Sequence, residues 1–379
     1  MQKGKKKNSI RKYIIFAAPL ICGAIIGVFL GSYLSSSEGG LTGRLFSLAL
    51  IFFGVIAALY IQIIIHEAGH LVFGLISGYR FSSFRIGSFM LVKVRGKMRI
   101  KRLTIAGTGG QCLMIPPEGV EIPVILYHMG GAFLNVITAA VFLALLPVFG
   151  SIPYLSAALL VLGAVGIMVA LLNGVPMKLG MINNDGHNAL LFRRDSAARH
   201  AFCVQIKTVV ASADGVRLRD MPEELFLCPL PEEMKDSMAA SMGVLAVNRL
   251  MDSLHFAEAD KLMAALLEVD ALLGLHRNLL VCDKIFCELL GENRAEALSA
   301  MLDKRQRAFM KAMRKFPAVL RTEYAYAVLA ENNTEKGANV MAEFDKMAKT
   351  YPYAGDIESE RELMDIARTR ASGKGDVTC

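Results

Sequence analysis

Nowhere along its 379 residues does the chain pair two cysteines as CxxC. Its seven, Cys22, Cys112, Cys203, Cys228, Cys282, Cys287 and Cys379, are odd in number and scattered. That pattern excludes a disulfide framework and reads as reduced thiols in a cytosolic setting. Also missing is any basic stripe with interleaved aromatics, so the net charge of +8 is no nucleic-acid footprint. The basic residues flank hydrophobic runs instead, which points to membrane topology and anionic lipid. Acidic residues are lacking altogether from 1–12 and from 78–117. With 54% hydrophobic residues and a mean hydropathy of +0.43, the chain is too apolar for an ordinary soluble protein. Its length suits two or three units, one of them in the bilayer.

Residues 1–12 carry Lys3, Lys5, Lys6, Lys7, Arg11 and Lys12, and Tyr13 to Leu34 is free of charge and long enough to span. Its apolar part exceeds a signal-peptide core and lacks an A-x-A site, so a retained first helix with a cytosolic amino terminus is expected. A short outer loop, 35–44, leads to a second apolar stretch, Leu45 to Ser77, travelling inward as one long helix. The acid-free segment 78–117 holds eight Arg and Lys residues and belongs on the inner side. Within it, FRIGSFMLVKVRGKMRIKRLTI alternates apolar and basic residues about Gly96, the pattern of a hairpin. Such an edge can pair with an extended substrate backbone or lie on anionic headgroups, and the residues leave both roles open. Pro123 to Phe149 and Pro153 to Val175 read as the third and fourth spans.

The second span contains the chemistry. In IIIHEAGHLVFGLIS, Ile63 to Ser77, His66 and His70 are four apart and share one helix face, where two imidazoles can bind one zinc ion. Glu67, beside them, is placed to take a proton from a water that the metal acidifies. Ionisable groups inside an apolar helix are expensive to keep, so three within five residues ask for a compensating partner such as a metal. At about 1.5 Å per residue, His66 falls about 30 Å from Leu45, toward the cytosolic side of a bilayer. A third protein ligand is required. Asp185, in a D-G turn on the inner side, is the first candidate, and His187 is the alternative. His128 enters the bilayer at the same end and suits a packing or ligand-supporting role. Gly130 and Gly131 of GGAFLN permit close helix approach, and Asn135 presents an amide inside the bilayer. Asn173 and Pro176 interrupt the fourth span.

HEAGH in an apolar helix, GGAFLN in the next span, and N-x-x-P followed by D-G together resemble the site-2 protease family of intramembrane zinc metalloproteases, over about residues 45–190. The resemblance implies zinc bound by His66, His70 and Asp185, catalysis by Glu67, and a substrate-holding role for Asn135 and Asn173. It also implies a membrane-associated β element beside the first core helix. The chain departs from the commonest pattern in a longer stretch from Asn173 to Asp185, with a glycine-containing turn at Lys178 to Asn184, and in having His187 after the D-G pair. No PDZ-like or CBS-like pattern is visible.

Beyond Ala189 charges appear throughout. Residues 191–240, with GVRLRDMPEELFLCPLPEE, read as a linker. From Ser241 helical periodicity dominates, and Ala259, Ala297 and Ala338, spaced 38 and 41 apart, suit tetratricopeptide-like helix pairs or a plain helical bundle. The expected fold is therefore mainly α. A basic amino terminus, first helix and outer loop (1–44) precede a polytopic membrane core (45–190) with a short cytosolic β element at about 79–117. A linker (191–240), a cytosolic helical domain (241–370) and a disordered tail (371–379) follow. The expected protein is a multi-pass cell-membrane enzyme with both termini cytosolic. It is a zinc metalloendopeptidase acting on a membrane protein or membrane-associated peptide near the cytosolic face, and its helical domain serves a protein partner. The alternative is a catalytically silent membrane scaffold that recruits partners through that domain.

Overall fold

The computed structural model describes residues 17, 19–24, 26–28, 40–105, 108–118, 122–179 and 182–373. Most of the expected first span, the outer loop before Gly40 and the tail from 374 lie outside the described residues. The chain divides into two compact units, 1–86 with 108–195, and 87–107 with 196–379.

In the first unit, helix α1 (Gly40–Ile76) is 37 residues long, about 55 Å at the α-helical rise. It ends where Gly78 turns left-handed at φ +82°. The Gly78 N–H then donates to the Leu75 carbonyl and the Tyr79 N–H to that of Gly74, closing the last turn in a Schellman motif. Strand β1 (Arg80–Ile86) pairs antiparallel with β4 (Gly110–Ile115). Helix α2 (Val124–Ala144) follows Pro123, and α3 (Pro153–Gly174) opens on a proline, whose missing N–H costs nothing in a first turn. Among the described residues, three helices are long and apolar enough to cross a membrane: Gly40–Ile76, Val124–Phe149 and Tyr154–Gly174. They correspond to the expected second, third and fourth spans. A shorter apolar helix, Pro19–Val28, falls within the expected first one, and its Cys22 and Ile26 pack with Ala58, Val161 and Val165.

Glycines let these helices meet. A Cβ on Gly69 would lie 2.3 Å from the Gly130 carbonyl oxygen, and one on Gly130 would lie 2.6 Å from that of Gly69. After α3, strands β5 (Lys178–Leu179) and β6 (Ile182–Asn183) form a two-stranded ribbon, the structure of the extra turn noted in the sequence. Helix α4 (Asp185–Arg194) begins directly after it, with Asn184 as N-cap.

The second unit takes the hairpin β2 (Phe89–Val94) and β3 (Lys97–Arg102) out of the middle of the expected membrane-core β element. Arg95 (φ +47°) and Gly96 (φ +77°) make its two-residue turn, both left-handed as such tight hairpins require. The physical reason for its grouping is burial: Met90, Val92 and Leu103 form a core with Ala213 and Tyr351. The main chain agrees, since the Arg102 N–H donates to the Thr350 carbonyl and the Arg95 N–H to Asp214.

The expected linker at 191–240 is largely structured. Helix α5 (Ser196–Ala213) runs through it and buries Ala201, Val204 and Ile206, and short 3-10 turns follow. Among the described residues, eight more α-helices and a π-helical segment (Tyr326–Ala330) follow: α6 (Ser237–Asp252), α7 (Phe256–Leu267), α8 (Gly274–Leu290), α9 (Ala295–Met301), α10 (Lys304–Ala312), α11 (Pro317–Ala325), α12 (Thr334–Ala348) and α13 (Ala354–Ala371). Their core is built on Val247, Met263, Leu280, Phe286, Leu320, Phe344 and Met364. Of the three alanines that suggested a repeat, Ala259 is fully buried, Ala297 partly buried and Ala338 exposed. Gly337 takes the close contact in the third place, where a Cβ would meet Val328 at 2.6 Å. The six cysteines among the described residues are free.

Candidate metal centre

His66 and His70 lie on α1 one turn apart, and Asp185 is the first residue of α4. Three electron-pair donors converge. His66 Nε2 is 2.9 Å and His70 Nε2 3.5 Å from Asp185 Oδ2, and the two Nε2 atoms are 3.2 Å apart. Both histidines are buried.

The far side of each ring fixes which nitrogen carries the proton. His70 Nδ1 is 2.9 Å from the Tyr127 main-chain carbonyl, which can only accept. His66 Nδ1 is 2.8 Å from Asn135 Oδ1. The Asn135 amide cannot be turned round, because its Nδ2 donates to the Gln62 carbonyl at 3.0 Å and to Gln62 Oε1 at 2.7 Å. Gln62 is oriented in turn by its own Nε2, which donates to the Leu162 carbonyl at 2.9 Å. With Nδ1 of each ring as donor, both Nε2 lone pairs face the Asp185 carboxylate. Lone pairs so close repel unless a cation lies among them. Ligand atoms around a tetrahedral zinc, at its usual bond lengths, stand about 3.3 Å apart, a value the observed 2.9 to 3.5 Å brackets. These residues fit a divalent metal ion, and nitrogen-rich donors favour a transition metal over calcium or magnesium.

Asp185 is delivered by local chemistry. Asn184 Nδ2 donates to the carbonyls of Leu172 and Val175 at the end of α3, while its Oδ1 accepts from the main-chain N–H groups of Met177 and His187. One side chain thus ties the broken end of α3 to the start of α4. Gly186 is required because a Cβ there would sit 2.1 Å from the Gly174 carbonyl oxygen.

Glu67 is buried and accepts a hydrogen bond from the Cys112 main chain on β4. A Cβ on Gly110 of the same strand would stand 2.7 Å from Glu67 Oε1. Tyr127 anchors this strand as well, its hydroxyl donating to the Cys112 carbonyl at 2.8 Å. The Cys112 thiol is pushed up to about 12 by burial and then by Glu67, and its sulfur is not among the three converging donors.

Of the residues singled out in the sequence, His66, His70 and Asp185 come together, and Glu67 stands next to His66 in the chain. Asn135 is fully buried and committed to His66 and Gln62. The Asn173 amide donates to the Val169 carbonyl of its own helix at 3.0 Å. His187 contributes its main-chain N–H to the Asn184 cap, and its ring is not among the three donors. His128 packs its ring between Tyr127 and Phe192.

The sequence reading missed Gln62, Asn184, Gly110 and Tyr127. Gln62 had a signal, as a lone amide one turn before His66 in an apolar helix. Asn184 had one too, as an N-cap residue opening a helix. Tyr127 had none, since it acts on His70 through its main chain. The chain matches no family model, no curated protein and no solved structure.

Proposed function

We propose that the chain is a zinc-dependent intramembrane endopeptidase of the site-2 protease type, cutting a membrane protein or membrane-associated peptide near the cytosolic side of the bilayer. The observation that carries this reading is the convergence of His66 Nε2, His70 Nε2 and the Asp185 carboxylate, with Glu67, the one acidic residue of α1, buried beside His66. Zinc in such a site supplies Lewis-acid polarisation of a carbonyl and lowers the pKa of water toward neutrality. Glu67 is the general base and acid: it takes a proton from the attacking water and returns it to the leaving amine. Gly110 leaves room for this carboxylate, and the Cys112 main chain orients it. Asn135 and Gln62 hold the imidazole of His66, and Tyr127 that of His70.

The test is Glu67→Gln in detergent, with metal content and peptide release both measured. Retained zinc with release lost is the expected outcome. Full release, or folded wild-type protein without zinc, overturns it and returns the chain to the scaffold class.

A further inference from the structure

The chemistry proposed for the metal centre makes no use of the hairpin β2–β3. Its two faces differ. Partners across a ribbon share a face, so Phe89 with Arg102, Leu91 with Ile100 and Lys93 with Met98 form one side, while Met90 and Val92 turn to the other. That other side is buried, through Met90 and Val92, in the core with Ala213 and Tyr351. The first side is open: Phe89 is 60% exposed, Leu91 39%, Met98 48% and Ile100 77%. Elsewhere among the described residues of this unit, large apolar side chains are exposed at Val216, Leu227 and Leu230 alone, so the hairpin gathers most of the apolar surface that the unit leaves bare. A concentration of this kind marks an interaction face.

Charge narrows the choice of partner. The hairpin carries Lys93, Arg95, Lys97, Arg99, Lys101 and Arg102, within a stretch, 78–117, that has no acidic residue. Arg95 Nε donates to the Asp214 main-chain carbonyl at 3.0 Å, Lys101 Nζ to that of Lys349 at 3.3 Å, and the Arg102 guanidinium lies 4.9 Å from the centre of the Phe89 ring. Lys93, Lys97 and Arg99 have no ion-pair partner among the described residues, so the positive charge of the ribbon goes unneutralised. On the open face the apolar pair Leu91 and Ile100 stands between Lys93 on one side and Arg102 on the other. The partner must therefore be apolar within and anionic at its boundary. A leaflet of anionic lipid has both properties, with phosphate oxygens above an acyl layer, and long basic side chains reach the phosphates while their stems lie along apolar surface. The chain itself supplies the bilayer, since Phe89 follows closely on the end of the membrane-suited helix α1 at Ile76. We propose that this face of the hairpin docks on an anionic leaflet, Phe89, Leu91, Met98 and Ile100 reaching the acyl boundary while Lys93 and Arg102 take lipid phosphates. The assignment stands whether or not the metal centre hydrolyses peptide bonds.

The chain contains no tryptophan, so Ile100→Trp places a single indole on the open face. The full-length variant is reconstituted in nanodiscs of phosphatidylcholine alone and of phosphatidylcholine with phosphatidylglycerol, each with and without bromine on the acyl chains. In the anionic discs the emission should shift to the blue and bromine should quench it. In neutral discs both effects should be much weaker, because each cation near an anionic surface is worth about fivefold. Lys93→Gln together with Arg102→Gln should, by the same figure, move the ratio of docked to free hairpin about 25-fold toward the free state. Ala338→Trp, at an exposed position of α12, should not respond to bromine in either disc. No quenching of the Ile100→Trp indole in anionic discs, equal quenching in neutral ones, or the same quenching at Ala338→Trp overturns the proposal. An indole that stays exposed in both discs and turns blue when a randomised peptide pool is added would make the occupant a peptide, which overturns it as well. The comparison of lipids uses unaltered cations, and Phe89→Trp gives a second reporter on the same face, so the test survives the misfolding of any one variant.

Discussion

The Gln62 amide hydrogen-bonds to Asn135 and not to a histidine ring, yet it decides which way the Asn135 amide points, and so which nitrogen of His66 carries a proton. Replacing Gln62 by Leu frees that amide to turn. Metal affinity should fall about 10- to 100-fold, the usual cost of losing a group that orients a ligand, while far-ultraviolet circular dichroism stays the same. Chelator competition measures the first quantity. Gly131→Ala should act more abruptly, because its methyl would stand 2.5 to 2.7 Å from three atoms of the His66 ring. The purified variant should lose its metal, which elemental analysis would show. Unchanged metal content would mean that α1 and α2 can separate at little cost, contrary to the close approach of Gly69 and Gly130. Both positions show how the site could be read from sequence only so far. HExxH announces its histidines because they must share a helix face. Gln62 could be read from its place one turn before His66, but Asn135 comes from another helix and Tyr127 acts through its main-chain carbonyl, and no local spacing encodes those two.

Among the elements, α13 has an unusual burden in the unpaired Asp356. Burial pushes this carboxyl up to about 6, Glu360 and Asp252 add to the rise, and the Ser212 hydroxyl opposes it. The native state therefore holds the proton more tightly than the unfolded chain does. Stability is lost as pH rises from about 3.8 to about 6, and the loss persists above that window. Asp356→Asn should melt higher than the parent at pH 7.5, with the difference closing as the pH falls toward 4. Thermal scans at several pH values would show the gap, and a gap independent of pH would mean that the carboxylate is not strained. Element boundaries were legible where a single physical signal dominated. The ends of α1 and α3 sit at Gly78 and just before Pro176, and the hairpin turn sits at Arg95 and Gly96. Helix α5 was hidden because the polar, charged stretch around it reads as linker until its buried face finds a partner. The repeat-like alanines misled for a related reason, since Gly337, one residue away from Ala338, is the one that packs.

At the scale of the whole molecule, three helices suited to a membrane and a basic hairpin predict a sidedness that can be labelled. A cysteine at Ser36 should react with an impermeant reagent on intact cells and one at Lys97 should not; the reverse pattern would invert the proposed orientation. The division of the chain also explains why domain limits were hard to draw from sequence. Apolar and basic residues alternate along the hairpin without marking a boundary, and it is the burial of Met90 and Val92 with Ala213 and Tyr351, together with the bonds of Arg95 and Arg102, that ties the hairpin to the second unit. The backbone therefore passes between the two units three times, at 86–87, 107–108 and 195–196. A protease nick near Asp195 severs just one of these passages. The amino-terminal fragment would still carry the hairpin that completes the core of the other fragment, so the two pieces should travel together through a sizing column until a denaturant parts them.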